Sequence, residues 1–169
     1  MKTLYSIPVL VFAAIFQSTI FSRIHLMGGA ADIVLLVLIA WALQEEVDDA
    51  WQWTLLGGLL VGFISKLPFY FYIPVYLAII GFARFLRSRF WQAPAIGMFI
   101  TTVLGTLVMQ FAMLVVLQLS GIAVNMSESF GYIIIPSILM NLLLSIPMQA
   151  IMSDFAQFVY RSQGKNERI

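Results

Sequence analysis

Side chains that could carry out acid–base, nucleophilic or metal chemistry are few and scattered in this sequence. It has one histidine, His25, and no cysteine, which excludes thiol chemistry and cysteine-bound metals. Four of its eight acidic residues lie between positions 45 and 49, and Asp32 and Glu128 stand apart from them. None belongs to a known metal, paired-carboxylate or phosphate-binding pattern. Because an enzyme needs a nucleophile, base or metal within reach of one another, we predict no catalytic site, metal or cofactor.

Small residues recur at a spacing that brings them onto one helix face. Gly58 and Gly62 are four residues apart, and so are Gly97, Thr101 and Gly105. Small side chains on one face let another helix backbone approach closely, particularly within a membrane. We interpret these five residues as helix-interface positions. The contacted helix is either a neighbour in the same chain or the helix of a partner protein, and the spacing leaves both open.

Charged residues at segment ends have structural interpretations. Asp32 falls in the first turn of the second predicted helix, where a carboxylate accepts from free backbone N–H groups and faces the positive end of the helix dipole. Arg84, Arg87 and Arg89 end the fourth, where they can meet anionic lipid headgroups or an acidic cytoplasmic partner. The predicted span centres contain no ionisable residue. They do contain amides, which we interpret as hydrogen bonds between helices: Gln17, Gln110, Gln118, Asn141 and Gln149.

The elements that carry these residues are long apolar runs. Hydrophobic residues make up 62% of the 169 residues and charged residues 10%, against about a quarter charged in a typical soluble domain. Six apolar segments run approximately over 4–21, 31–43, 51–65, 69–85, 95–119 and 132–158. They are continuous rather than alternating, which favours helices over a membrane barrel. We predict an all-α, polytopic transmembrane bundle of six spans. The alternative is four or five spans with re-entrant pieces between 51 and 85.

The distribution of basic residues predicts the orientation. With six spans, seven basic residues fall on one side and two on the other, which places both termini in the cytoplasm by the positive-inside rule. No linker divides the chain, so residues 1–169 form a single membrane domain. Aromatic residues cluster at the predicted boundaries, where we expect anchoring at the headgroup level: Trp41, Trp51, Trp53, Tyr70, Tyr72, Trp91 and Tyr132.

Several short motifs occur in an order known from one family. They are Gln17-Ser18-Thr19, residues 31–36 followed by 40–43, Gly58 with Gly62, Tyr76-Leu77-Ala78, and Gly81 followed by Arg84 and Arg87. This order resembles the Q-S-T, P-D-L-L-L-L…Y-W-A-L, G-x-x-x-G…Y-A-L and glycine-then-arginine segments of the MreD family, the rod-shape-determining integral membrane proteins of bacteria. The resemblance covers roughly residues 16–89. Two departures are Ala31, where the family commonly has proline, and Lys66, where it often has aspartate.

The resemblance implies a non-catalytic scaffold of the cell-elongation complex in the bacterial inner membrane. It implies that the chain binds MreC, which has one transmembrane helix, and through it acts with RodA, a class B transpeptidase and MreB in cell shape and peptidoglycan synthesis. It also implies a fold similar to the substrate-binding subunits of energy-coupling-factor transporters. Membrane lipids are expected contacts and nucleic acid is not.

A second function stays open. A small-molecule-binding membrane subunit of an energy-coupling-factor-type transporter would have the same composition. It predicts a closed polar pocket near the outer face, around Asp32, Glu128 and Tyr132.

Overall fold

The computed structural model describes residues 2–21, 28–65, 67–68, 70–89, 94–122 and 125–166, and within them the regular elements are helical. After a short 3-10 turn, Lys2–Tyr5, the helices are α1 (Ser6–Phe16), α2 (Ile33–Ala42), α3 (Ala50–Ile64), α4 (Tyr72–Arg87), α5 (Pro94–Leu119), α6 (Met126–Ser129) and α7 (Ile135–Asn166). Two π-helical turns occur, Gln17–Phe21 after α1 and Phe130–Ile134 before α7. Three residues named above lie outside the described residues: His25, Lys66 and Trp91.

The all-α prediction is confirmed, and each of the six apolar segments contains a helix. Two of the described helical stretches are long and apolar enough to cross a membrane, Pro94–Leu119 and Ser127–Tyr160. The helices in the second and third segments are shorter than a bilayer-spanning helix. α2 has ten residues and α3 has 15, whereas a span needs about 20.

Helix α2 is the centre of the bundle. All ten of its residues are buried, and the helices around it are α1, α3, α4, α5 and α7. A helix that is apolar on every side has no face suited to water, so it is stable only when other helices enclose it. Its sequence, a run of Val, Leu, Ile and Ala with one Trp, fits this position.

The small residues bring the surrounding helices close to one another. A Cβ atom on Gly58 would lie 3.1 Å from the Ile73 Cα at the start of α4. On Gly105 it would lie 2.8 Å from the Ile79 Cγ2 of α4, whereas on Gly97 it would meet Leu43 at an ordinary 3.5 Å. Thr101 and Gly62 are also buried. These five positions therefore face the interior of their own chain.

The outer surface of the bundle is apolar. Phe63, Leu119, Leu143 and Ile146 are between 73% and 83% exposed. In contrast, polar side chains lie fully buried inside, among them Thr54, Thr101, Thr102, Ser137 and Asn141. Apolar side chains exposed to this degree favour an apolar environment around the bundle.

Candidate functional site

The candidate site is a group of hydrogen-bonded polar side chains at the start of α2, which we call the Asp32 node. The Asp32 Oδ1 accepts a 3.0 Å hydrogen bond from the Leu35 backbone N–H, so this residue caps α2 as its position predicts. The second oxygen, Oδ2, accepts from the Tyr76 hydroxyl of α4 at 2.8 Å. Tyr76 is completely buried. The cap therefore also ties α2 to α4.

Three more side chains complete the node from other helices. The Asp32 backbone N–H donates to Asn141 Oδ1 of α7 at 2.9 Å, and Asn141 Nδ2 donates to Thr106 Oγ1 of α5 at 2.9 Å. At the end of α1, Gln17 Oε1 accepts from the Val34 N–H at 3.0 Å. Residues from three segments thus bond the start of α2 directly, and α5 joins them through the Asn141–Thr106 hydrogen bond. This confirms the prediction that the side chains of Gln17 and Asn141 form hydrogen bonds between segments.

The depth of the node differs from the sequence prediction. Asp32 was expected near the end of a span, and no ionisable group was expected at a span centre. However, Thr106 lies midway along the 26-residue helix α5, and Asn141 lies near the middle of Ser127–Tyr160. Because α2 is about 15 Å long at 1.5 Å per residue, it covers about half of a 30 Å hydrocarbon core. Asp32 therefore lies beside the middle of the two longest helices, because α2 is much shorter than they are and begins at that level.

Backbone contacts at two glycines hold the chain that leads into α2. Gly28 N–H donates to the Tyr132 carbonyl at 2.8 Å, within the π-helical turn before α7. A Cβ atom on Gly29 would lie only 2.5 Å from the Ser137 nitrogen, so only glycine fits there. These contacts place the start of α2 against the start of α7.

A small pocket of about 250 Å³ opens beside the node. Its lining includes Gln17, Ala31, Ser65 and Tyr72, and the hydroxyl groups of Ser65 and Tyr72 are 2.8 Å apart. The transporter alternative predicted a pocket around Asp32, Glu128 and Tyr132. Instead, Glu128 and Tyr132 are exposed, and the Asp32 carboxylate is bonded within the node.

The other end of α2 carries a second carboxylate with two donors, which we call the Asp49 clamp. The stacked indoles of Trp41 and Trp53, with centroids 4.3 Å apart, donate to the two oxygens of Asp49 at 3.1 and 3.2 Å. Both tryptophans are buried, as is Tyr72, so these three rings face the interior of the bundle and not its surroundings. The predicted boundary residues Trp51, Tyr70 and Tyr132 are exposed.

Two of the three arginines support the loop of residues 44–49. Arg87 donates to the carbonyls of Gln44 and Val47 at 2.7 and 2.9 Å, and Arg84 donates to Val47 at 3.3 Å. Arg84 also lies over the Trp51 ring, at 5.9 Å from its centroid. Arg89 is exposed and lies over the Phe85 ring. Of the three, Arg89 is the one whose side chain is open to a lipid or a partner.

A larger cleft of about 590 Å³ opens at this end of the bundle. Residues from α4, α5, α7 and the loop line it, including Glu45, Arg87, Gly97, Ser153 and Tyr160. Gly97, predicted as a helix contact, therefore borders open space on one side.

Sequence reasoning missed two features of this site. The first is Tyr76, which it noted only as part of a motif and which supplies the hydroxyl bonded to Asp32. The second is a polar series along α7 at strict four-residue spacing, which the sequence itself displays: Ser137, Asn141, Ser145, Gln149, Ser153 and Gln157. That period would have indicated the inward face in the first half of α7, where Ser137, Asn141 and Ser145 are buried.

Among the residues that the structure describes, no group of three His, Cys, Asp or Glu side chains could hold a metal ion. The chain matches no protein-family model, no curated protein and no solved structure.

Proposed function

We propose that this protein is a non-catalytic scaffold of the bacterial inner membrane that holds the transmembrane helix of a partner. In this proposal six segments enter the bilayer, α2 is a half-length inner helix, and both termini face the cytoplasm. The partner is MreC, as the resemblance to the MreD family implies. Through it the chain would act with RodA, a class B transpeptidase and MreB in cell shape and peptidoglycan synthesis.

The membrane part of the proposal is supported by the surface of the bundle. Many of its large apolar side chains are exposed, whereas Asn141 and several serines and threonines are buried, some of them bonded to one another or to backbone. A lipid environment suits such a surface, because buried polar groups must be satisfied internally where no water is available. Phe155 of α7 lies against Tyr5, which precedes α1, and against Trp41 of the Asp49 clamp. Both terminal segments therefore approach the same end of the bundle.

The observation that supports the scaffold role best is an apolar groove on this surface. It lies between α1 and α7, has a volume of about 430 Å³, and is lined by side chains that include Val9, Phe12, Ile151 and Met152. The small-residue faces are already used for packing within the chain, as described above. A partner helix would therefore bind along the groove rather than at Gly97 or Gly105.

The test is co-purification of the full-length chain with MreC from bacterial membranes. Ile151→Trp fills the groove and is expected to abolish recovery of the partner while the chain still inserts. The control is Val108→Trp, an exposed position on α5 outside the groove, which should leave recovery unchanged. Equal recovery with both variants would overturn the proposed docking site. Rounding of rod-shaped cells on depletion would support the wider role, and unchanged cell shape would contradict it.

The transporter alternative is favoured by the volume of the 590 Å³ cleft, which falls in the range of about 300 to 1,000 Å³ typical of ligand sites. The cleft lies at the Arg87 end of the bundle, however, and not near the outer face where this alternative predicted a pocket. Mass spectrometry of the purified chain separates the two functions. A small molecule that is retained in equal amounts with the protein, and lost when Ser153 is replaced by Trp, would establish the alternative. An auxotrophy on depletion would do the same.

A further inference from the structure

Helices α5 and α7 meet along a line of polar residues. Gln110 Nε2 donates to Ser137 Oγ at 3.0 Å, and one turn further along, Asn141 Nδ2 donates to Thr106 Oγ1 at 2.9 Å. A step of four residues back along α5 is thus matched by four residues forward along α7, which is an antiparallel register. We call this line of residues the α5–α7 seam.

The same register predicts what lies beyond the node. The next step places Thr102 level with Ser145, and two further steps place Met98 level with Gln149 and Pro94 level with Ser153. Pro94 and Ser153 do border the same cleft, at the end of the bundle that carries Arg87. The seam therefore leads from this cleft to the Asn141–Thr106 pair beside Asp32.

Two oxygen atoms at successive levels of this part of the seam are buried without a hydrogen-bond partner among the described residues: Thr102 Oγ1 and Gln149 Oε1. Thr101 Oγ1 is also unpartnered, but it lies on the neighbouring face of α5, which it shares with Gly97 and Gly105. Both threonines are 0% exposed. A threonine inside a helix ordinarily bonds the carbonyl four residues earlier, as Thr54 does to Ala50 at 2.7 Å. Thr101 and Thr102 do not, so their hydroxyl groups are available to a ligand. Buried polar atoms of this kind are commonly satisfied by ordered water.

We propose that the α5–α7 seam binds a file of water molecules that connects the 590 Å³ cleft with the Asp32 node. The ligand is water because the free atoms are neutral oxygens spaced along a line, and a water molecule can both donate and accept there. The file would bring solvent to the middle of the two longest helices, next to the Asp32 carboxylate. This inference does not depend on the proposed partner, because it concerns the interior of one chain.

The absence of cysteine from the sequence makes a direct test possible. Single cysteines replace Thr102, Ser145 or Gln149 in the full chain in membrane vesicles, and their modification by a methanethiosulfonate ethylammonium reagent is timed. We expect these positions to react at least about tenfold faster than Ile146→Cys, because only the thiolate reacts and it forms only where water reaches. Ile146 is 76% exposed on the outer surface, so its thiol would face lipid.

Two further variants keep the test decisive. Thr102 and Ser145 lie at the same level on different helices, so labelling can be measured at one position if the cysteine substitution at the other prevents folding. Ser153→Trp at the mouth of the cleft, combined with Thr102→Cys, should reduce labelling to the rate of the Ile146→Cys control. The proposal is overturned if Thr102→Cys and Ser145→Cys react no faster than Ile146→Cys while Ser153→Cys reacts rapidly. That result would show that water enters the cleft but does not pass from it into the α5–α7 seam.

Discussion

The two ends of α2 are held by the same kind of residue in different ways. Asp32 and Asp49 each stand just before a helix, and each carboxylate accepts two hydrogen bonds. Asp32 gives one oxygen to the backbone of its own helix and one to Tyr76. Asp49 makes no cap with its side chain and gives both oxygens to the indoles of Trp41 and Trp53. Only the first of these arrangements follows the local pattern.

The difference shows what decides the use of a helix-capping residue. A carboxylate at a helix start bonds its own backbone N–H groups unless stronger or better placed donors are available. The stacked indoles supply such donors at Asp49, because α2 and α3 bring Trp41 and Trp53 together there. Tertiary contacts thus determine the partner, whereas sequence determines only that a carboxylate is present.

The largest expected effect comes from removing the hydrogen-bonded carboxylate of the Asp32 node. Asp32→Ala removes the cap and leaves the Tyr76 hydroxyl and the Leu35 N–H unpaired, which should lower the free energy of unfolding by about 3 kcal/mol. Denaturation of the purified chain in mixed detergent micelles measures it. Asp32→Asn keeps an oxygen for the cap and should lose less. An alanine variant as stable as the parent would show that the node does not stabilise the bundle.

A smaller effect is expected at the Asp49 clamp. Asp49→Ala leaves two buried indole N–H groups without their acceptor and should cost about 2 kcal/mol. Tryptophan fluorescence should also change, because the stacked pair loses the group that fixes it. Asp48→Ala is the matched control, since that neighbouring carboxylate is exposed. If Asp49→Ala destabilises more than Asp32→Ala, the boundary clamp rather than the interior node holds α2.

The smallest effect compares two glycines of α5 that lie near the two ends of α2. Gly105→Ala, level with the node, puts a methyl group 2.8 Å from Ile79 Cγ2 and should cost about 1 to 2 kcal/mol by overpacking. Gly97→Ala, near the loop, meets Leu43 at 3.5 Å and should be neutral or slightly stabilising, because alanine favours helix more than glycine. Equal unfolding free energies for the two variants would contradict the close contact at Gly105.

Much of the fold could be predicted from residue patterns. Continuous apolar runs indicate helices, and the positions of Gly58 and Gly105 indicate close helix contacts, because small residues four apart share a face. The Asp32 cap was predictable for the same reason, since donor and acceptor lie three residues apart. These are local relations, and a single segment contains them.

The rest of the site depends on residues far apart in the sequence. Asp32 and Tyr76 are 44 positions apart, and Asp32 and Asn141 are 109 apart. Hydropathy predicts a membrane segment at 31–43 but does not predict the level at which its helix packs against α5 and α7, because an apolar run carries no information on distant contacts. The position of Asp32 beside the middle of α5 and α7 was therefore not predicted, and the internal positions of Trp41 and Trp53 were missed.

The long sequence separation between Asp32 and Asn141 has a consequence for biosynthesis. α2 emerges from the ribosome early, yet the acceptor for the Asp32 amide arrives only with the last long helix, 109 residues afterwards. A ten-residue helix whose side chains are all apolar and buried in the final structure is not stable by itself. Chains truncated before α7 would thus have an incompletely packed α2, and we expect quality-control proteases to degrade them.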